Sequence, residues 1–127
     1  MRQSEIAVET QPFRPYGWRM TMPKVAVLMP CYNEEAAIAQ TIAAFRAALP
    51  DATIYVYDNN SRDRTIEVAR TAGAVVRSER MQGKGNVVRR MFADIEADIY
   101  VMADGDATYD ATSAPAMVAR VRRRGST

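Results

Sequence analysis

Histidine is absent from the 127 residues. That absence removes Ser-His-Asp and Cys-His nucleophilic schemes and any zinc site built on imidazole. Cysteine occurs once, at Cys31. A single cysteine excludes an intramolecular disulfide and fits a reducing compartment. With no histidine to activate it, Cys31 reads as a small packed side chain. No apolar run approaches the ~18 to 20 residues of a membrane span. The stretch Met1 to Met22 is polar, carries Glu5, Glu9 and two prolines, and lacks the hydrophobic core of a signal peptide. Neither sign of charge dominates: the net charge is +2, which gives no basis for bulk nucleic-acid binding. The clustered positives Arg120, Arg122, Arg123 and Arg124 read as a solvated helix end rather than a recognition patch.

What is present describes an ordinary globular chain. The hydrophobic fraction of 48% and charged fraction of 25% fit one domain with its own core. Residues 1–23, punctuated by Pro12, Pro15, Gly17 and Pro23, read as an irregular tail. Lys24 to Met29 is a continuous apolar run closed by Pro30, as in a buried parallel strand. Glu34 to Leu49 reads as a helix with Asn33 as its N-cap, since Ile38, Ile42, Phe45 and Leu49 fall at helical spacing. Thr53 to Tyr57 is a second strand. Arg62 or Asp63 to Ala72 is a helix ended by Gly73. Ala74 to Arg77 is a third strand. Lys84 to Ala97 is a helix with Val87, Val88, Met91, Phe92 and Ile95 on its apolar face. Asp98 to Ala103 is a fourth strand, and Ser113 to Arg124 a last helix with Pro115 in its first turn.

This alternation predicts an α/β fold, a Rossmann-like parallel sheet. All four strand ends then face one edge, where such sheets bind ligands. The polar residues gathered there are Asn33, Glu34, Asp58, Asn59, Asn60, Ser61, Asp63, Lys84, Asp104 and Asp106. Each loop alone is an ordinary turn or cap, but four polar loops at one edge make a crevice for a polar ligand. Asp104-Gly105-Asp106 offers two hard oxygen donors one residue apart, suited to a divalent cation that takes its other ligands from water and substrate phosphate. Gly83-Lys84-Gly85-Asn86 opens a helix, where backbone N–H groups and one cation can meet a diphosphate. It is not a dinucleotide fingerprint, because Val88 stands where a third glycine belongs, and no GxxxxGK[ST] loop is present. A receiver-type signalling domain has this size and an acidic pocket, but its acids follow different strands.

The ordered set of motifs resembles family 2 glycosyltransferases of the GT-A fold. Val25 to Glu35 resembles their opening strand and P-x-Y-N-E loop. Tyr55 to Thr65 resembles their second-strand D-D-G-S-x-D-x-T segment, with Asn59 in place of the second Asp. Gly83 to Asn86 resembles the glycine-rich loop, and Asp104-Gly105-Asp106 the DxD motif. The likeness runs from about Lys24 to Val121 and is nearest to the polyprenyl-phosphate, dolichol-phosphate mannose synthase-like group. The resemblance implies a nucleotide-sugar-binding domain over 24–124, the N-terminal half of a GT-A fold. It implies Pro30, Tyr32 and Glu34 lining the nucleoside pocket, Asp58 and Asn59 near the base edge, and Lys84 approaching the diphosphate. Asp104 would sit by the ribose and metal, Asp106 would bind Mg2+ or Mn2+, and Thr108 would be a further metal or phosphate ligand. Asp104 and Asp106 are thus the implied catalytic pair. The implied partners are a UDP- or GDP-sugar donor and a polyprenyl-phosphate lipid acceptor, with no nucleic acid. The implied location is cytoplasmic, with peripheral contact at the inner face of the membrane. Because family members build their acceptor site in a second half, the expectation is an incomplete transferase with weak or no turnover alone. A non-catalytic nucleotide- or metal-binding remnant is the first alternative, and a receiver-like signalling module the more distant one.

Overall fold

The computed structural model describes residues 6–9, 23–105 and 114–116. The elements, in chain order, are β1 (Ile6–Glu9), β2 (Val25–Cys31), α1 (Ile38–Ala48), β3 (Thr53–Asp58), α2 (Thr65–Thr71), β4 (Val75–Ser78), α3 (Lys84–Asp94) and β5 (Ile99–Met102). They form one sheet in the order β1-β5-β2-β3-β4. β2 pairs in parallel with β3 on one side and β5 on the other, and β3 pairs in parallel with β4.

The period-2 alternation of side chains divides the core. From β2, Val27, Met29 and Cys31 join Ile38, Ile42 and Phe45 of α1 and Ala69 of α2. Ala26 and Leu28 face the other way, onto Val87 and Met91 of α3. Tyr57 is fully buried on that second face and donates its hydroxyl to Asp94 at 2.7 Å. Burial, reinforced by the Asp94 hydrogen bond and opposed by Arg77, pushes its pKa up to about 12. Helices on both faces make the sheet doubly wound. The strand order runs one way from β2 to β3 and β4, then jumps to β5, so the switch point lies between the carboxyl ends of β2 and β5.

Four features differ from the sequence expectation. Residues 1–23 are not uniformly irregular: Ile6–Glu9 forms β1, antiparallel to β5 in the register Ile6↔Met102 to Glu9↔Ile99. An antiparallel edge strand on a parallel sheet is common, and four residues suffice at an edge. Pro30 does not close β2, which continues to Cys31. Leu28 O accepts from Ala103 N–H while Cys31 O accepts from Asn59 N–H. By alternation Pro30 faces the β5 side, where the paired register has already ended at Leu28↔Met102. A missing N–H there breaks no ladder bond. Helix α1 starts at Ile38 rather than Glu34, and Asn33 is left-handed at φ 53 rather than an N-cap. Helix α3 stops at Asp94 rather than Ala97, because Tyr100 takes over the released backbone. Its hydroxyl donates to Ile95 O and accepts from Ala97 N–H. Of the expected last helix, residues 114–116 are helical; its remainder lies outside the described residues.

Candidate functional site

The loops after β2 and β3 are laced together by reciprocal hydrogen bonds. Asn33 N–H donates to Ser61 Oγ at 2.8 Å, Glu34 N–H to Thr65 Oγ1 at 2.8 Å, and Glu35 N–H to Asp63 Oδ2 at 3.2 Å. In return, Arg62 N–H donates to Asn33 Oδ1 at 2.8 Å and Arg64 N–H to Glu35 Oε1 at 3.3 Å. The Asp63 carboxyl also accepts from the Thr65 N–H and hydroxyl at the start of α2. Desolvation raises its pKa, but the hydrogen bonds from Thr65 and from the Glu35 N–H outweigh that and hold it below its ordinary value. These cross-links fix the position of the strand ends that carry Pro30 and Asp58.

Asp58 ends β3, beside Cys31 of β2, and is 2% exposed. Its Oδ2 accepts from Ser61 N–H at 2.9 Å. Its Oδ1 is buried without a hydrogen-bond partner among the described residues. A buried acceptor left unpaired is costly, so such an atom marks a place for a ligand donor. Asn59 differs. Its Nδ2 donates to Glu79 O at 2.8 Å and Met81 O at 2.9 Å. Its Oδ1 accepts from Gly83 N–H at 2.8 Å and from Gln82 Nε2 at 3.3 Å. An amide has two N–H donors and two acceptor positions, so no part of it is left for a base.

On the β5 side, Lys84 Nζ donates to Asp104 Oδ1 at 2.8 Å. The pair bridges the first residue of α3 and the strand end after β5. The side chains are 61% and 32% exposed, so solvent screens the pair and its net strength is about 0–1 kcal/mol. It can therefore be exchanged for a ligand at little cost. Lys84 is also misplaced by the rules of helix stability. A cation sits at the positive end of α3, whose first turn holds no acid. Gly85, one residue on, has open space around its Cβ position. A cation, a helix N-terminus and free room together suit an anionic group.

Gly105 contributes by its size. A Cβ there would lie 2.6 Å from Cys31 Sγ and 3.0 Å from Ile38 Cδ1. Its carbonyl accepts from Thr41 Oγ1 at 3.3 Å. The glycine is needed because the turn after β5 presses against β2 and α1 at the switch point.

Among the residues singled out by sequence, the structure brings Lys84 and Asp104 into contact and puts Pro30 and Asp58 on adjacent strand ends. Tyr32 is 49% exposed and Glu34 is partly buried in the same loop. Asp106 and Thr108 lie outside the described residues. Of the lacing residues, Ser61 is among those expected at the strand-end edge, whereas Thr65 enters the sequence reading only as the end of a motif. Their signal was the S-x-D-x-T spacing at the start of α2.

Residues 26–126 match the family model described as glycosyl transferase family 2. Protein RfbJ of Shigella flexneri is 61% identical over 94 residues, spanning 74% of this chain and 73% of that one. The dolichyl-phosphate hexose transferase of Haloferax volcanii is 35% identical over 89 residues, 70% of this chain and 39% of that one. A crystal structure of Mycobacterium tuberculosis glucosyl-3-phosphoglycerate synthase, in complex with Mn2+, UDP and glucosyl-3-phosphoglycerate, matches with a TM-score of 0.70 at 27% identity. That match covers 78% of this chain and 39% of the other. The chain thus spans less than half the length of these last two proteins. The doubly wound sheet is that of a GT-A glycosyltransferase. By the family match over most of its length and the identity with RfbJ, the chain belongs to glycosyl transferase family 2.

Proposed function

We propose that the switch-point crevice binds a nucleotide-sugar donor for metal-assisted, inverting transfer of the sugar to a phosphate-bearing acceptor. The observation that carries this is the Lys84–Asp104 pair, at 2.8 Å, between the start of α3 and the end of β5. It sets a diphosphate-seeking cation beside a metal-seeking carboxylate. Asp58 Oδ1, buried and without a partner among the described residues, would accept an N–H of the base. Pro30, Tyr32 and Glu34 would flank the nucleoside.

The donor set fits a hard divalent cation. Asp104 presents a partly exposed carboxylate, and no group of three acidic, His or Cys side chains suited to a metal occurs among the described residues. An ion held by one or two carboxylates, water and substrate phosphate is the usual arrangement for Mg2+ or Mn2+. Asp104 and Asp106 would hold it, and when bound it neutralises charge building on the departing diphosphate. Lys84 would leave Asp104 for the diphosphate, where its charge is better matched. The names of two similar proteins support a phosphate-bearing acceptor: one is named for dolichyl phosphate and another for 3-phosphoglycerate. We favour a polyprenyl phosphate. Its oxygen is largely ionised near neutral pH, since the second phosphate pKa is ~6, so a chain without histidine needs no strong general base. Attack opposite the leaving diphosphate would invert the anomeric centre. Work on a lipid acceptor would bring the protein to the inner face of the membrane. No helix among the described residues is long and apolar enough to cross it.

Isothermal titration with UDP and GDP, with and without Mn2+, tests the donor site. The expected result is binding of one nucleotide that strengthens with Mn2+ and weakens about tenfold or more in Asp106→Ala. Absence of binding by both nucleotides in both conditions would refute it.

A further inference from the structure

The family resemblance implies Asn59 near the base edge. We infer instead that Asn59, assisted by Asn60, is a positioning residue that holds the turn carrying Lys84 against the donor diphosphate. The inference rests on the donor-site proposal above and assigns one of its residues a different task.

Asn59 is 5% exposed, and both ends of its amide bind one segment, residues 79–83, more than twenty positions along the chain from its own strand for most of these contacts. It holds the carbonyls of Glu79 and Met81 and the N–H of Gly83 at 2.8–2.9 Å. Asn60 adds a second grip, donating from Nδ2 to Arg80 O at 2.8 Å and Gln82 Oε1 at 2.9 Å. It does so from a left-handed conformation, φ 66, in which Asn is one of the few comfortable non-glycine residues. The gripped segment ends at Gly83, which directly precedes Lys84 and has φ 124, a conformation side-chain-bearing residues rarely adopt. The direction in which α3 leaves the turn, and so the place of Lys84 and of the first helical N–H groups, is set through Gly83. Its N–H is held by Asn59 Oδ1. A rigid β3 strand end therefore orients the phosphate-facing turn. The amide that does so is saturated, which leaves base reading to Asp58.

The two roles separate when a phosphate-bearing ligand is compared with its phosphate-free counterpart. NMR titrations of the full 127-residue chain with UDP plus Mg2+ and with uridine would be made for wild type, Asn59→Ala and Asn60→Gly. In Asn59→Ala, UDP affinity should fall about tenfold or more while uridine affinity stays within about twofold. Asn60→Gly keeps the positive φ and an exposed site, so it should fold and show a smaller shift in the same direction. Equal weakening of UDP and uridine in Asn59→Ala would make Asn59 a base reader and overturn the inference, as would no change in either. Amide hydrogen exchange on the ligand-free chain gives a separate test. Exchange at Gly83 should quicken about tenfold in Asn59→Ala while β2 stays protected. Unchanged exchange at Gly83 overturns the inference whatever the nucleotides do. Should the wild type not bind UDP, GDP and guanosine take the place of UDP and uridine; failure with both nucleotides would count against the donor site, with exchange still deciding the role of Asn59.

Discussion

At Gly105 one hydrogen atom separates a packed switch point from a clash. The space that a Cβ would need is filled by Cys31 Sγ at 2.6 Å, and Cys31 is itself buried. Gly105→Ala should lower stability by about 1–3 kcal/mol, the range for overpacking a tight core, as measured by urea denaturation. Adding Cys31→Ala should restore part of that loss, because residues in contact couple. Strict additivity of the two changes would show that they do not share the space. The need for glycine here was legible in the sequence only as a turn, since neither neighbour that enforces it lies within fifty positions along the chain. Asp58 and Asn59 show the same limit from the other side. They are adjacent and similar in type, yet one leaves a buried oxygen without a partner among the described residues and the other spends its whole amide on residues 79–83. Nothing local to the pair distinguishes them, because the partners are brought by the β3–β4 connection and the register of the sheet.

The elements whose faces carry a clean period were readable: β2, β3, β5 and the three helices all stand near their expected places. Their ends were less readable, because ends are decided by partners elsewhere. Helix α3 illustrates this. Its apolar period continues to Ile95, yet Ile95 is extended at φ −113, ψ 127. The hydroxyl of Tyr100 satisfies the Ile95 carbonyl and the Ala97 N–H, and the Tyr100 ring packs edge-on against Phe92 at 4.8 Å. Tyr100→Phe keeps the ring contact and removes both hydrogen bonds. It should lower stability by about 1–3 kcal/mol, the range for leaving buried backbone groups unsatisfied. A thermal melt unchanged from wild type would show that α3 ends there for another reason. β1 has a related cause: four residues give too short a pattern to read, and the edge of β5 is what makes them a strand.

Across the whole molecule, the order β1-β5-β2-β3-β4 does the decisive work. It parts the strand ends at β2 and β5 and sets Pro30, Asp58, Lys84 and Asp104 at the carboxyl edge of the sheet. Motif order alone gives the family. The geometry adds that Lys84 and Asp104 neutralise each other at 2.8 Å, and that Asn59 is occupied. The opposite sheet edge, with Lys24, Ala52, Gly73 and Asp98 at or before the amino ends of the strands, provides an internal control. Paramagnetic broadening of amide NMR signals by Mn2+, in the presence of UDP or GDP, tests the crevice directly. Broadening should begin at Gly83, Lys84, Gly85, Asp104 and Gly105 and spare Lys24, Ala52, Gly73 and Asp98. Broadening spread evenly over the chain, or centred on the opposite edge, would contradict a metal–diphosphate site at the β2–β5 switch point.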